Sequence, residues 1–158
     1  MKEESKKAYV ARVAQANPSQ LISLIYEMME ECLMDTEEAI KQGNIGDYQK
    51  NMVQFRGFIN ELMGSLNYEY PISFDLRKIY VWMDKIAVEV LIQKENQKLT
   101  HLKDLVAKLK TGFDQVALQD ERPAVMEHTQ TIYAGLTYGK ASLNETMELG
   151  NENRGFRA

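Results

Sequence analysis

Apolar residues recur at helical intervals along most of this chain, in four successive stretches separated by residues that break helices. The first carries Leu21, Ile22, Leu24, Ile25, Met28, Met29, Cys32 and Leu33, an arc wide enough to face two neighbouring helices rather than one. Asn17 suits a helix N-cap, Pro18 suits the first helical position, and Gln20 is placed to fold back as in a capping box. This predicts a helix from Pro18 to about Gln42, ended by Gly43 and Asn44. The second stretch places Tyr48, Met52, Phe55, Ile59, Leu62 and Leu66 at alternating steps of four and three, a seam held over a whole helix. The run Asn67 to Pro71 interrupts it, since the residue before a proline resists helical geometry. The seam then repeats at Ile72, Leu76, Ile79, Met83, Ile86 and Val90, and, after a hinge near Lys94 to Gln97, at Leu99, Leu102, Val106, Leu109, Phe113 and Val116. Short connections make consecutive helices antiparallel neighbours. The expected fold class is therefore all-α: an antiparallel up-down four-helix bundle over residues 17–118, with the first helix at its centre.

The two ends read differently. Residues 1–16 form an N-terminal arm in which Tyr9 and Val13 lie one helical turn apart, with Val10 between them. Such a segment is too short to hold a helix alone in water, so it is either a frayed terminus or a detachable arm lying in a groove. Residues 119–158 form a C-terminal tail whose polar composition predicts a largely irregular segment, except for the apolar cluster Ile132 to Tyr138, a candidate for docking on the bundle or on a partner.

Charge and candidate chemistry narrow the function classes. With 23 acidic against 19 basic residues the net charge is -4, which offers no general attraction to nucleic acid. No apolar run approaches the roughly 20 residues of a membrane span, and the residues from Met1 lead into no signal-peptide core, so a cytoplasmic protein without membrane insertion is expected. The acidic outer face of the first helix, with Glu27, Glu30, Glu31, Glu37 and Glu38, reads as a solvated face or as the complement of a basic neighbour; the fourth helix is mildly basic. Cys32, at helical spacing with Met28 and Met29, reads as a small buried hydrophobe. A carboxylate-bridged di-metal bundle needs two Glu-x-x-His pairs, and neither of the two histidines follows a glutamate at that spacing. His101 is followed one turn later by Asp104 and Leu105, a like charge and a bulky group where a phosphotransfer histidine needs a cation and a small residue, and His128 belongs to the tail. There is no phosphate loop and no nucleophile with a base at readable spacing, so neither catalysis nor a cofactor is expected. Binding is another matter. The third helix puts Trp82 among charges on the face away from the seam, with Val81, Val88 and Ile92 on an adjoining stripe. An exposed tryptophan is the informative kind of apolar residue, and this patch suits an amphipathic helix unless the arm or the tail covers it.

With these residues in place, the chain resembles the FliS family of flagellin-specific export chaperones. The likeness lies in Tyr9 followed by Pro18, in Leu21 Ile22 and Tyr26 Glu27, in Ala39 Ile40, in the run Glu61 to Asn67, and in Leu76, Tyr80 and Met83, over residues 9 to about 113. The chain departs from the family at Met28 Met29, where a small residue is common, and at Tyr70 to Ser73, which replaces a Gly-Gly-Glu turn. The resemblance implies a chaperone that binds the C-terminal segment of flagellin, blocks premature polymerisation and hands the subunit to the flagellar export machinery. A methionine-rich lining from Met28, Met29, Met52, Met63 and Met83 would let its grooves adapt. On this reading the candidate partner-binding residues are Tyr9, Val10, Val13, Leu21, Tyr26, Tyr80, Val81, Trp82, Val88 and Ile92. The rival reading is a generic helical adaptor or signalling module with a different partner.

Overall fold

A computed structural model describes residues 3–93 and 96–126. The chain separates into two units, Met1–Val125 and Met126–Ala158, and the fold described here is that of the first. Five helices follow one another: α1 (Glu3–Gln15), α2 (Pro18–Lys41), α3 (Ile45–Gly64), α4 (Ile72–Gln93) and α5 (Asn96–Gln119), with no strand among the described residues. The expectation of four helices plus an arm thus becomes five, because the arm is itself a helix. The cluster Ile132 to Tyr138, His128 and the hinge residues Lys94 and Glu95 lie outside the described residues.

The helix ends follow from local chemistry. At the start of α2 the Gln20 N–H donates to the Asn17 side chain at 2.8 Å and the Asn17 N–H to the Gln20 side chain at 2.9 Å, so two orphan donors are satisfied reciprocally. At its end, Gly43 takes φ 68°, while the Asn44 N–H reaches the Ala39 carbonyl at 2.9 Å and the Gly43 N–H reaches Ile40 at 3.1 Å, the two bonds of a Schellman motif. Asn44 then caps α3 by accepting the Asp47 N–H at 3.1 Å. One short run of sequence closes α2 and opens α3.

The core is made where the seams meet. Met29 and Leu33 of α2, Met52, Phe55, Ile59 and Leu62 of α3, Met83 and Val90 of α4, and Leu102 and Val106 of α5 are each at most 1% exposed. Each contributes roughly 1.5 to 3 kcal/mol of apolar burial against the entropy of ordering the chain. The most extensive contacts join α2 to α3 and α2 to α5, so α2 is the central element. Hydrogen bonds show the sense of two pairings. Tyr48 near the start of α3 donates to the Val90 carbonyl near the end of α4, while Ser23 and Glu37 of α2 meet Asp114 and Lys103 of α5 in reverse order. Both pairs run in opposite directions.

The buried face of α4 is rotated from the expected seam. Its buried residues are Ser73, Tyr80, Met83, Ala87 and Val90, while Ile72 is 65% exposed and Ile79 and Ile86 are half-buried. Two polar contacts account for the rotation: the Ser73 hydroxyl donates to the Asn67 carbonyl at 2.5 Å, and the Tyr80 hydroxyl finds a buried partner in α2. Apolar spacing alone does not register them.

Candidate binding surface

The first part of this surface is the seat of α1 on α2. Arg12 donates to both carboxylate oxygens of Glu27, at 2.6 and 2.7 Å, and the Tyr9 hydroxyl donates to the same carboxylate at 3.4 Å. The Arg12 guanidinium also lies 5.5 Å from the centre of the Tyr9 ring, within reach of a cation–π contact. Arg12 holds the Glu27 carboxyl below the usual carboxylate range, while burial, and next the Glu27 charge, pushes the Tyr9 hydroxyl up. Tyr9 and Val13 are half-buried and Val10 is 70% exposed, so α1 lies on its neighbour by a narrow stripe. Beside it a cleft of about 400 Å³ is lined by Arg12, Gln15, Gln20, Ser23, Leu24 and Ala117. The helix rests on this groove without filling it.

The second part is an apolar cleft of about 180 Å³ at the end of the bundle where α2 begins and α5 ends, lined by Ile22, Leu62, Leu66, Tyr70, Ile72, Leu76 and Phe113. Tyr80 reaches its floor but belongs to the core, as does Tyr26. Their hydroxyls lie 2.7 Å apart, and the Tyr26 ring stacks on Phe113 with centroids 5.2 Å apart. Tyr26 at 0% and Tyr80 at 1% exposure lie in the core of this structure and not on its open surface. Leu21 is half-buried. Met29, Met52 and Met83 are likewise sealed in the core, where they fill space between helices; of the proposed lining only Met28 and Met63 are half-buried.

The third part is the outer face of α4. Val81 is 53%, Trp82 45% and Ile92 74% exposed, and Val88 is half-buried. Phe74, 54% exposed, extends the stripe by two turns toward the start of the helix. Lys78 and Lys85 interrupt it, and Lys78 pairs with Asp75 at 2.9 Å. The face is an apolar strip with charged edges.

Glu27 and Glu37 are ion-pair partners, of Arg12 across the α1 seat and of Lys103 on α5 at 2.6 Å, so part of the acidic face complements basic neighbours, one of the two readings open from the sequence. Sequence reasoning missed two things. Tyr70, taken only as part of a helix break, and Ile72, taken as the first residue of the α4 seam, line the apolar cleft. Asp120 and Arg122, taken as the start of an irregular tail, bond to the beginning of α2. Their signal was the Asp-x-Arg spacing, too common to single out. Among the described residues His101 is exposed and no group of three or more His, Cys, Asp or Glu side chains stands ready to hold a metal. Cys32 is 0% exposed, and burial pushes its thiol up to about 12. No described helix is long and apolar enough to cross a membrane.

A search of curated proteins finds no match to this chain. A family model described as flagellar protein FliS does match it, over residues 1–120, which include all five helices. A match over that much of the chain places the protein: it belongs to the FliS family of flagellar proteins.

Proposed function

We propose that this protein is a cytoplasmic export chaperone that holds the C-terminal segment of flagellin, prevents its premature polymerisation and keeps it competent for flagellar type III export. Family membership supports a flagellar chaperone. The observation that carries the finer reading is the seat of α1: a helix of 13 residues held on α2 by a narrow stripe, in which Tyr9 and Arg12 share the Glu27 carboxylate, over a cleft it does not fill. A lightly held helix marks a place where another amphipathic helix fits, and a disordered segment that folds on binding gives up part of its interaction energy to ordering. Binding therefore stays reversible, as delivery to the export machinery requires. The exposed α4 strip offers such a ligand a further apolar strip, and the function needs no chemical step.

The test is stoichiometric binding of intact flagellin against flagellin lacking its C-terminal segment, measured by calorimetry. The intact protein should bind at one site with a negative heat-capacity change, and the truncated one far more weakly. Equal binding of the two would support the generic adaptor instead.

A further inference from the structure

The junction between α1 and α2 is the most enclosed part of the N-terminal region, and it is enclosed by residues about a hundred positions away. Ala16 and Asn17 are 3% and 5% exposed, although α1 itself is largely exposed. The Val125 N–H donates to the Ala16 carbonyl at 3.0 Å, and the Asn17 side-chain amide donates to the Asp120 carbonyl at 2.8 Å. The Ser19 N–H donates to the Asp120 carboxylate at 3.3 Å, so that carboxylate takes up one of the orphan donors in the first turn of α2. Arg122 grips the same carboxylate through Nε at 2.7 Å and Nη2 at 2.6 Å, and its Nη2 lies 3.3 Å from the Ser19 hydroxyl. The Asp120 side chain is 8% exposed within this cage.

We infer that residues 120–125 form a clasp that couples the release of α1 from α2 to the release of the segment following α5. Lifting α1 changes the backbone angles at Ala16 and Asn17, because the chain between the two helices has no other residues in which to bend. Ala16 presents its carbonyl to Val125 and Asn17 presents its side chain to Asp120, so the pivot cannot turn while the clasp is closed. The segment 120–125 has no helix of its own and is held by these bonds to the junction. Either partner loosens the other, and the coupling is reciprocal by linkage. It does not depend on which ligand displaces α1, and so stands or falls apart from the proposed function. Its consequence is a threshold: α1 stays seated until the clasp opens, and the two ends then open as one cooperative unit.

Amide exchange by mass spectrometry on the full chain tests the coupling. Asp120→Ala should speed exchange in residues 7–16 and 120–125 together, by about fivefold for each net hydrogen bond lost, and leave the middles of α3 and α4 as in the wild type. Val125→Pro removes a single N–H and leaves the side-chain contacts at the start of α2 in place; it should produce the same joint increase. Arg12→Ala, which loosens α1 from the opposite side, should speed exchange in residues 120–125. The inference is overturned if Arg12→Ala frees α1 while residues 120–125 keep wild-type protection. It is equally overturned if Val125→Pro loosens 120–125 and leaves α1 unchanged. Should Asp120→Ala loosen α3 and α4 as well, the Val125→Pro result decides.

Discussion

Replacing Tyr80 by phenylalanine removes one hydroxyl from a pair that joins α2 to α4 across the core. The two oxygens lie 2.7 Å apart, with Tyr26 0% and Tyr80 1% exposed, so the bond is buried and its loss leaves the Tyr26 hydroxyl without its partner. The ring stays, and the packing of Tyr26 on Phe113 with it, so the perturbation is polar and leaves no cavity larger than an oxygen atom. A buried hydroxyl left without its partner costs about 1 to 3 kcal/mol, and Tyr26→Phe should cost a similar amount. The double variant leaves no orphan and should cost much less than the sum, a coupling of about 0.5 to 3 kcal/mol. Urea titration followed by far-ultraviolet circular dichroism measures all three, each single change lowering the midpoint by roughly 1 M at the slope usual for small domains. If the double variant loses the sum of the two single losses, the hydroxyls act independently and the pair does not link the helices. If the single changes cost nothing, the buried bond is not present in solution.

Three further outcomes are expected. Glu27 has its pKa lowered in the fold, so its contribution to seating α1 is complete above the unfolded value of about 4.3 and is lost as pH falls through the folded one. Tyr9 ring resonances should therefore shift toward those of a solvated tyrosine in acid, and should take the solvated position at neutral pH in Arg12→Ala; an exposed pair of this kind is worth about 0.2 to 1 kcal/mol. Gly43→Ala should lower stability by about 1 to 2 kcal/mol in the same urea titration, because the added Cβ meets nothing within 4 Å and the cost lies in the left-handed backbone alone. Cys32 should react with a thiol reagent at neutral pH only as fast as the core opens, since its thiol is buried and pushed up to about 12; reaction at the rate of a free thiol would show the α2 seam to be open.

Much of this molecule is local physics that can be read along the chain. Asn17, Pro18 and Gln20 start α2 and Gly43 ends it, because capping involves only groups a few residues apart. The α3 seam from Tyr48 to Leu62 is buried as its spacing requires, and Trp82 stands exposed among charges while Met83 and Val90 of the same helix are buried. Other features depend on partners distant in sequence. Tyr26 and Tyr80 look like contact residues in a linear reading, yet each satisfies the other's hydroxyl across 54 positions and so both lie in the core. The rotation of α4 follows from that bond and from the Ser73 bond to Asn67, and a count of apolar spacing contains neither. The arm has too little apolar surface to be a helix in isolation; it becomes α1 because Glu27 offers a carboxylate to both Tyr9 and Arg12. Asp120 and Arg122 gain meaning only when α5 delivers them to the start of α2. Periodicity and capping are written within a few turns of one helix and were legible by themselves. Which polar groups meet across the bundle was decided only when the helices packed, because burial makes an unpaired hydroxyl or carboxylate costly and selects the arrangement in which each finds its partner.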